Sequence, residues 1–125
     1  MADNLTDTVE NELLNALVGN AAYSVTAPIK LALVTANGSD SAGGTEVVGG
    51  SYSRQNIAFG TASGGQITSS GTVSFGNMPT TTVVGIELWD SAGKRLAYGP
   101  LTTPKALTNG DTLQFAASSV TLTLG

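Results

Sequence analysis

Few residues in this chain have the types and spacing that chemistry needs, and they fall into three groups. Residues 44–59 read GTEVVGGSYSRQNIAF, where Gly44 and Gly49 have the glycine spacing of a phosphate-cradling loop and Arg54 could assist a reaction on a bound anion. Glu87 and Asp90 could act as paired carboxylates in acid–base chemistry. Asp40, Glu46 and Asp111, each beside Gly, Ser or Thr, could offer oxygen ligands to calcium. Each group fails on its context. A phosphate loop needs Lys followed by Ser or Thr after the second glycine and then a helix, but Gly50-Ser51 stand there and a strand-like run follows. Glu87 and Asp90 differ by three positions, so on a strand they point to opposite faces. That spacing predicts Glu87 on the solvated face and Asp90 opening a turn. Asp40, Glu46 and Asp111 lack the D-x-D-x-D-G spacing of a calcium loop and read as turn residues.

The chain has no His and no Cys. The commonest general base and the strongest side-chain nucleophile are therefore missing, and no G-x-S-x-G elbow presents a serine. These absences argue against a serine, cysteine or zinc enzyme. The expectation is a non-enzymatic protein with no catalytic, cofactor or metal site.

The elements that would position any site are short. At 125 residues with 41% hydrophobic and 11% charged side chains, the composition suits a single globular domain whose polarity comes from Ser, Thr and Asn. The acidic balance, a net charge of −4, is concentrated in Asp3, Asp7, Glu10 and Glu12. The remainder is neutral and carries no basic stripe, which excludes nucleic-acid binding. The N-terminus has no basic region and no long apolar run, so no cleavable secretory signal is expected. No stretch approaches the roughly 20 apolar residues of a membrane span.

The first twenty residues predict one helix. Val9, Leu13, Ala16 and Leu17 fall on one face, Thr6 can serve as N-cap with Leu5 as a staple, and Gly19 suits the stop. From Pro28 the period changes to two. Ile29, Leu31 and Leu33 alternate with Lys30, Ala32 and Val34, and Tyr52 to Phe59 reads as one strand. Val83 to Asp90 is the strongest strand, with a tight turn over residues 91–94 and a break at Gly99-Pro100. About seven short strands without helical crossovers predict an antiparallel β-sandwich, immunoglobulin-like or jelly-roll-like, with one short N-terminal helix. The domain spans residues 1–125, of which 1–22 form a helical arm.

A helix with a narrow apolar stripe must dock on something, its own sheet or a neighbour. Leu5, Val9, Leu13 and Leu17 are therefore candidate interface residues. Tyr52 and Arg54 join them, since both project from one face of their strand and both types are enriched at interfaces. A pairing of Arg54 with a carboxylate of its own subunit, beside the tyrosine ring, is the competing reading.

Three blocks of the chain resemble a family of small bacteriophage virion proteins, described as tail fibre or minor structural proteins. Asn20, Ala22, Tyr23 and Pro28 precede Leu31-Ala32-Leu33 in the manner of that family. Gly44, Glu46, Val47, Gly49, Gly50, Tyr52, Arg54 and Gln55 match its next block. Gly85, Ile86, Asp90, Leu96, Tyr98, Gly99, Pro104, Lys105, Gly110, Asp111 and Phe115 match its C-terminal pattern. The resemblance implies a non-enzymatic virion protein, made without a signal peptide, that binds the major capsid protein or tail proteins of the same particle. A compact chain without extended repeats suits a capsid decoration or cement protein. A tail-fibre or minor tail protein with a part in host adhesion is the alternative, and a small carbohydrate-binding module is a third reading. A homo-oligomer, trimer or higher, is compatible with all of them.

Overall fold

The computed structural model describes residues 5–124. Among them one helix, α1 (Asp7–Leu17), precedes ten strands: β1 (Lys30–Ala36), β2 (Thr45–Glu46), β3 (Gln55–Asn56), β4 (Ala58–Phe59), β5 (Gln66–Ser70), β6 (Val73–Met78), β7 (Thr81–Trp89), β8 (Arg95–Leu107), β9 (Asp111–Phe115) and β10 (Thr121–Thr123). The strand pairs are antiparallel. One sheet has the order β2-β1-β7-β8 with β3 also on β1; β10-β5-β4 make a second and β6-β9 a third. They pack as an open sandwich rather than a closed barrel, the mainly β class that the alternating pattern predicts.

The core follows from that pattern. Leu31 and Leu33 of β1 lie opposite Leu88 and Ile86 of β7, and all four are buried. Val73, Phe75 and Met78 of β6 and Leu113 of β9 close over them. Phe75, 1% exposed, lies 6.0 Å from the Tyr52 ring and meets Phe115 edge-on at 6.1 Å. Aromatic contacts of this kind add about 0.5–1.5 kcal/mol to the burial itself.

Helix α1 starts where its cap predicts. The Thr6 hydroxyl accepts from the Val9 N–H at 3.3 Å and donates to the Arg95 carbonyl at 2.9 Å. Leu5 bridges to Ala97, and the Thr6 N–H donates to the Leu96 carbonyl at 3.1 Å, so the start of the helix is stitched to β8. Among the described residues no helix is long and apolar enough to cross a membrane.

Four sequence expectations are corrected. First, β8 runs through Gly99-Pro100 unbroken. It is an edge strand, where a residue lacking an N–H is tolerated, and the register with β7 shifts nearby between Val83 and Gly85. Second, Tyr52 to Phe59 is not one strand: β3 pairs with β1 and β4 with β5, so the chain changes sheets at the buried Ile57. Third, Glu87 is not solvated but 2% exposed. Residues 37–44 fold back over the second face of the sheet, which also buries Ala32 and Val34 completely. Fourth, Glu46 is no turn residue; it lies in β2 opposite Val34.

Candidate interaction surface

Tyr52 and Arg54 meet, but at a carboxylate of their own chain. Arg54 grips Glu46 through Nε at 3.0 Å and Nη2 at 2.9 Å, and the Tyr52 hydroxyl donates to the same carboxylate at 2.5 Å. The Tyr52 oxygen also accepts the Leu33 N–H at 3.0 Å. The Arg54 guanidinium sits 4.1 Å from the centre of the Trp89 ring. Burial would raise the Glu46 carboxyl, but its bonds from Arg54 and Tyr52 outweigh that and hold it below the ordinary range. Burial, reinforced by the bond to Glu46, pushes the Tyr52 phenol up.

The glycine pairs of this stretch serve close approach rather than phosphate. A Cβ on Gly44 would fall 2.3 Å from the Ala36 carbonyl oxygen. One on Gly50, whose φ is 56°, would fall 2.8 Å from the Asn77 carbonyl oxygen. With Gly44 so close, its N–H reaches Glu87 Oε2 at 2.8 Å. Trp89 Nε1 donates to Glu87 Oε1 at 3.2 Å, and Arg95 Nη1 stands 3.5 Å from Oε2. Arg95 also donates to the Ser39 carbonyl, and the Tyr98 hydroxyl donates to Asp40. That bond, ahead of desolvation, pushes the Tyr98 phenol up to about 12. Asp90 opens the turn as expected. It accepts the N–H groups of Lys94 at 2.8 Å, Ala92 at 3.0 Å and Thr26 at 3.2 Å, and the Lys94 bond leads the set that lowers its carboxyl.

Glu46, Glu87, Asp90 and Asp40 are thus taken up by donors of the same chain, and the arrangement braces a loop. Among the described residues, Asp7, Glu10 and Asp40 bring carboxylate oxygens within 4.8 Å of one another, with Asp40 engaged by Tyr98.

A different surface is open. A cleft of about 460 Å³ runs between the helical arm and the β10-β5-β4 sheet. Leu5, Val9 and Leu13 form one wall; Phe59, Ile67 and Leu122 belong to the other. Among the described residues, no charged side chain lines it. Val25 and Leu124, which also line it, are 41% and 58% exposed. The end of α1 continues this apolar surface into solvent, with Leu14 61%, Leu17 79% and Val18 69% exposed. An apolar cleft beside exposed apolar side chains of the same helix makes this the candidate interaction surface.

Of the residues singled out from sequence, Leu5, Val9 and Leu13 come together in this cleft, and Leu17 projects from the outer end of the same helix. The stripe therefore grades from buried Val9 to exposed Leu17. Tyr52 and Arg54 form a separate group outside the cleft. Sequence reasoning missed the second wall, Phe59, Ile67, Leu122 and Leu124. A signal for it exists: residues 13–29, 55–86 and 112–125 contain no Asp, Glu, Lys or Arg, and they supply most of the lining.

The family model described as podophage GP4 fiber I protein gp80 matches residues 4–123. No curated protein matches the chain.

Proposed function

Because the chain belongs to the podophage GP4 fiber I protein gp80 family, a family of phage structural proteins, we propose that it works without catalysis, as a virion component that docks on other virion proteins through the apolar cleft beside α1. The observation that carries this reading is the cleft itself, lined among the described residues by no charged side chain and including the exposed Leu124, with Leu17 and Val18 exposed at the end of the helix that forms one wall. Covering large apolar side chains yields roughly 1.5–3 kcal/mol for each one fully buried, and that gain repeats at every site on a particle. The missing His and Cys and the internally engaged Glu46, Glu87 and Asp90 support a non-enzymatic role.

The family description favours a place in the fibre apparatus, with tail proteins of the same virion as partners. The compact sandwich, which has no extended repeat, favours a second reading, decoration of the capsid shell with the major capsid protein as partner. Counting copies per particle against the major capsid protein separates them. The fibre reading predicts few copies, and a number that follows shell symmetry overturns it in favour of decoration. Incorporation of Leu17→Asp tests the docking reading itself: loss of the folded variant from particles is expected, and normal incorporation would overturn it.

A further inference from the structure

We infer that a polar groove centred on Arg54 and Trp89 binds a neutral oligosaccharide. Three adjoining recesses make the groove. One, of about 440 Å³, is lined by Asn56 and Thr72, and it shares Ser53 and Arg54 with a second of about 390 Å³ that reaches Lys30. The second shares Gly93 with a third, of about 540 Å³, which holds Trp89 with Thr8 and Ser41. None of the three shares a lining residue with the apolar cleft, so the inference does not rest on docking there.

The groups left unspent in the groove select the ligand. Arg54 uses Nε and Nη2 on Glu46 and lies 4.1 Å from the centre of the Trp89 ring, whose Nε1 is committed to Glu87. Guanidinium and indole are thus held in place before a ligand arrives, and Arg54 Nη1 keeps its donors. Among the described residues, the Asn56 amide and the hydroxyls of Thr8, Ser41 and Thr72 make no hydrogen bond. A sugar ring carries hydroxyls that donate and accept around its edge and C–H groups on its faces, which suits these side chains and an indole. Charge narrows the class further. Arg54, Lys94 and Arg95 pair with Glu46, Glu12 and Glu87, backbone N–H groups take up Asp90, and Tyr98 takes up Asp40. Of the charged residues lining the groove this leaves Lys30 and Asp7, one of each sign, so a polyanion gains no net attraction. A protein partner would find few apolar anchors, since Val73 is buried and Trp89 is only partly exposed.

A glycan microarray carrying neutral and acidic oligosaccharides, probed with the full chain, tests this, with titration calorimetry on the tightest neutral binder. Two variants sample the ends of the groove: Asn56→Ala plus Thr72→Ala, and Thr8→Ala plus Ser41→Ala. Circular dichroism checks that each folds, and either one carries the test should the other fail to fold. The expected result is wild-type binding to neutral glycans, weakened by about tenfold or more in each folded variant. An array on which no neutral glycan binds overturns the inference, as does binding confined to acidic glycans. A folded variant that binds the neutral glycan as tightly as wild type overturns it too.

Discussion

Replacing Glu87 by Ala should cost much of the fold's stability, although the residue carries the look of a solvated strand glutamate. Its carboxylate takes the Gly44 N–H at 2.8 Å and the Trp89 indole at 3.2 Å, and it faces an Arg95 guanidinium whose side chain is 9% exposed. Removing one partner of a buried pair typically costs about 3–5 kcal/mol, because the other charge is left behind. Arg95 keeps the Ser39 carbonyl, which places the expectation near the lower end, about 3–4 kcal/mol. A chain of 125 residues has roughly 6–19 kcal/mol of stability at 0.05–0.15 kcal/mol per residue. At about 3–5 °C per kcal/mol for this size, Tm should fall by roughly 10–20 °C. Glu87→Gln keeps an acceptor and loses only the charge, so it should fall by about half as much. Thermal unfolding followed by circular dichroism, with urea titration to check that the m value is unchanged, measures both. A drop of less than about 3 °C for Glu87→Ala would match an ordinary surface residue and refute the bracing role.

Other outcomes follow from the same structure. Phe75→Ala empties a fully packed position against Tyr52 and Phe115 and should cost about 3–5 kcal/mol in urea unfolding. Leu17→Ala should leave stability within about 0.5 kcal/mol, since the side chain is 79% exposed, yet weaken docking measurably in a pull-down with disrupted particles. Glu46 and Asp90 both titrate below the ordinary carboxylate range in the folded chain. Their contribution is therefore complete above that range, near pH 4–5, and is lost as pH falls through the depressed folded values. Tm should be flat from about pH 5 to 8 and fall below about pH 4, and Glu46→Gln should flatten part of that acid slope.

The strands that form the core were legible because a two-residue period reports one covered face directly. Leu31 and Leu33 with Ile86 and Leu88 are the plain case. Glu87 was misread for the same reason. Alternation cannot show that residues 37–44 return to bury the second face, since that closure depends on Gly44 lying against Ala36. Tyr52 and Arg54 could be paired from their spacing, whereas their shared partner Glu46 came within reach only through the turn at Gly49-Gly50. The cleft drew its walls from Leu5 to Leu124, in runs too short to stand out singly. Only the absence of charge over residues 13–29, 55–86 and 112–125 marked it along the chain.

Density for this chain in an electron-microscopy map of the assembled particle tests the central claim most directly. The account predicts protein density packed over the cleft beside α1, with Leu17 and Val18 removed from solvent. A cleft that faces open solvent in every copy on the particle would contradict it.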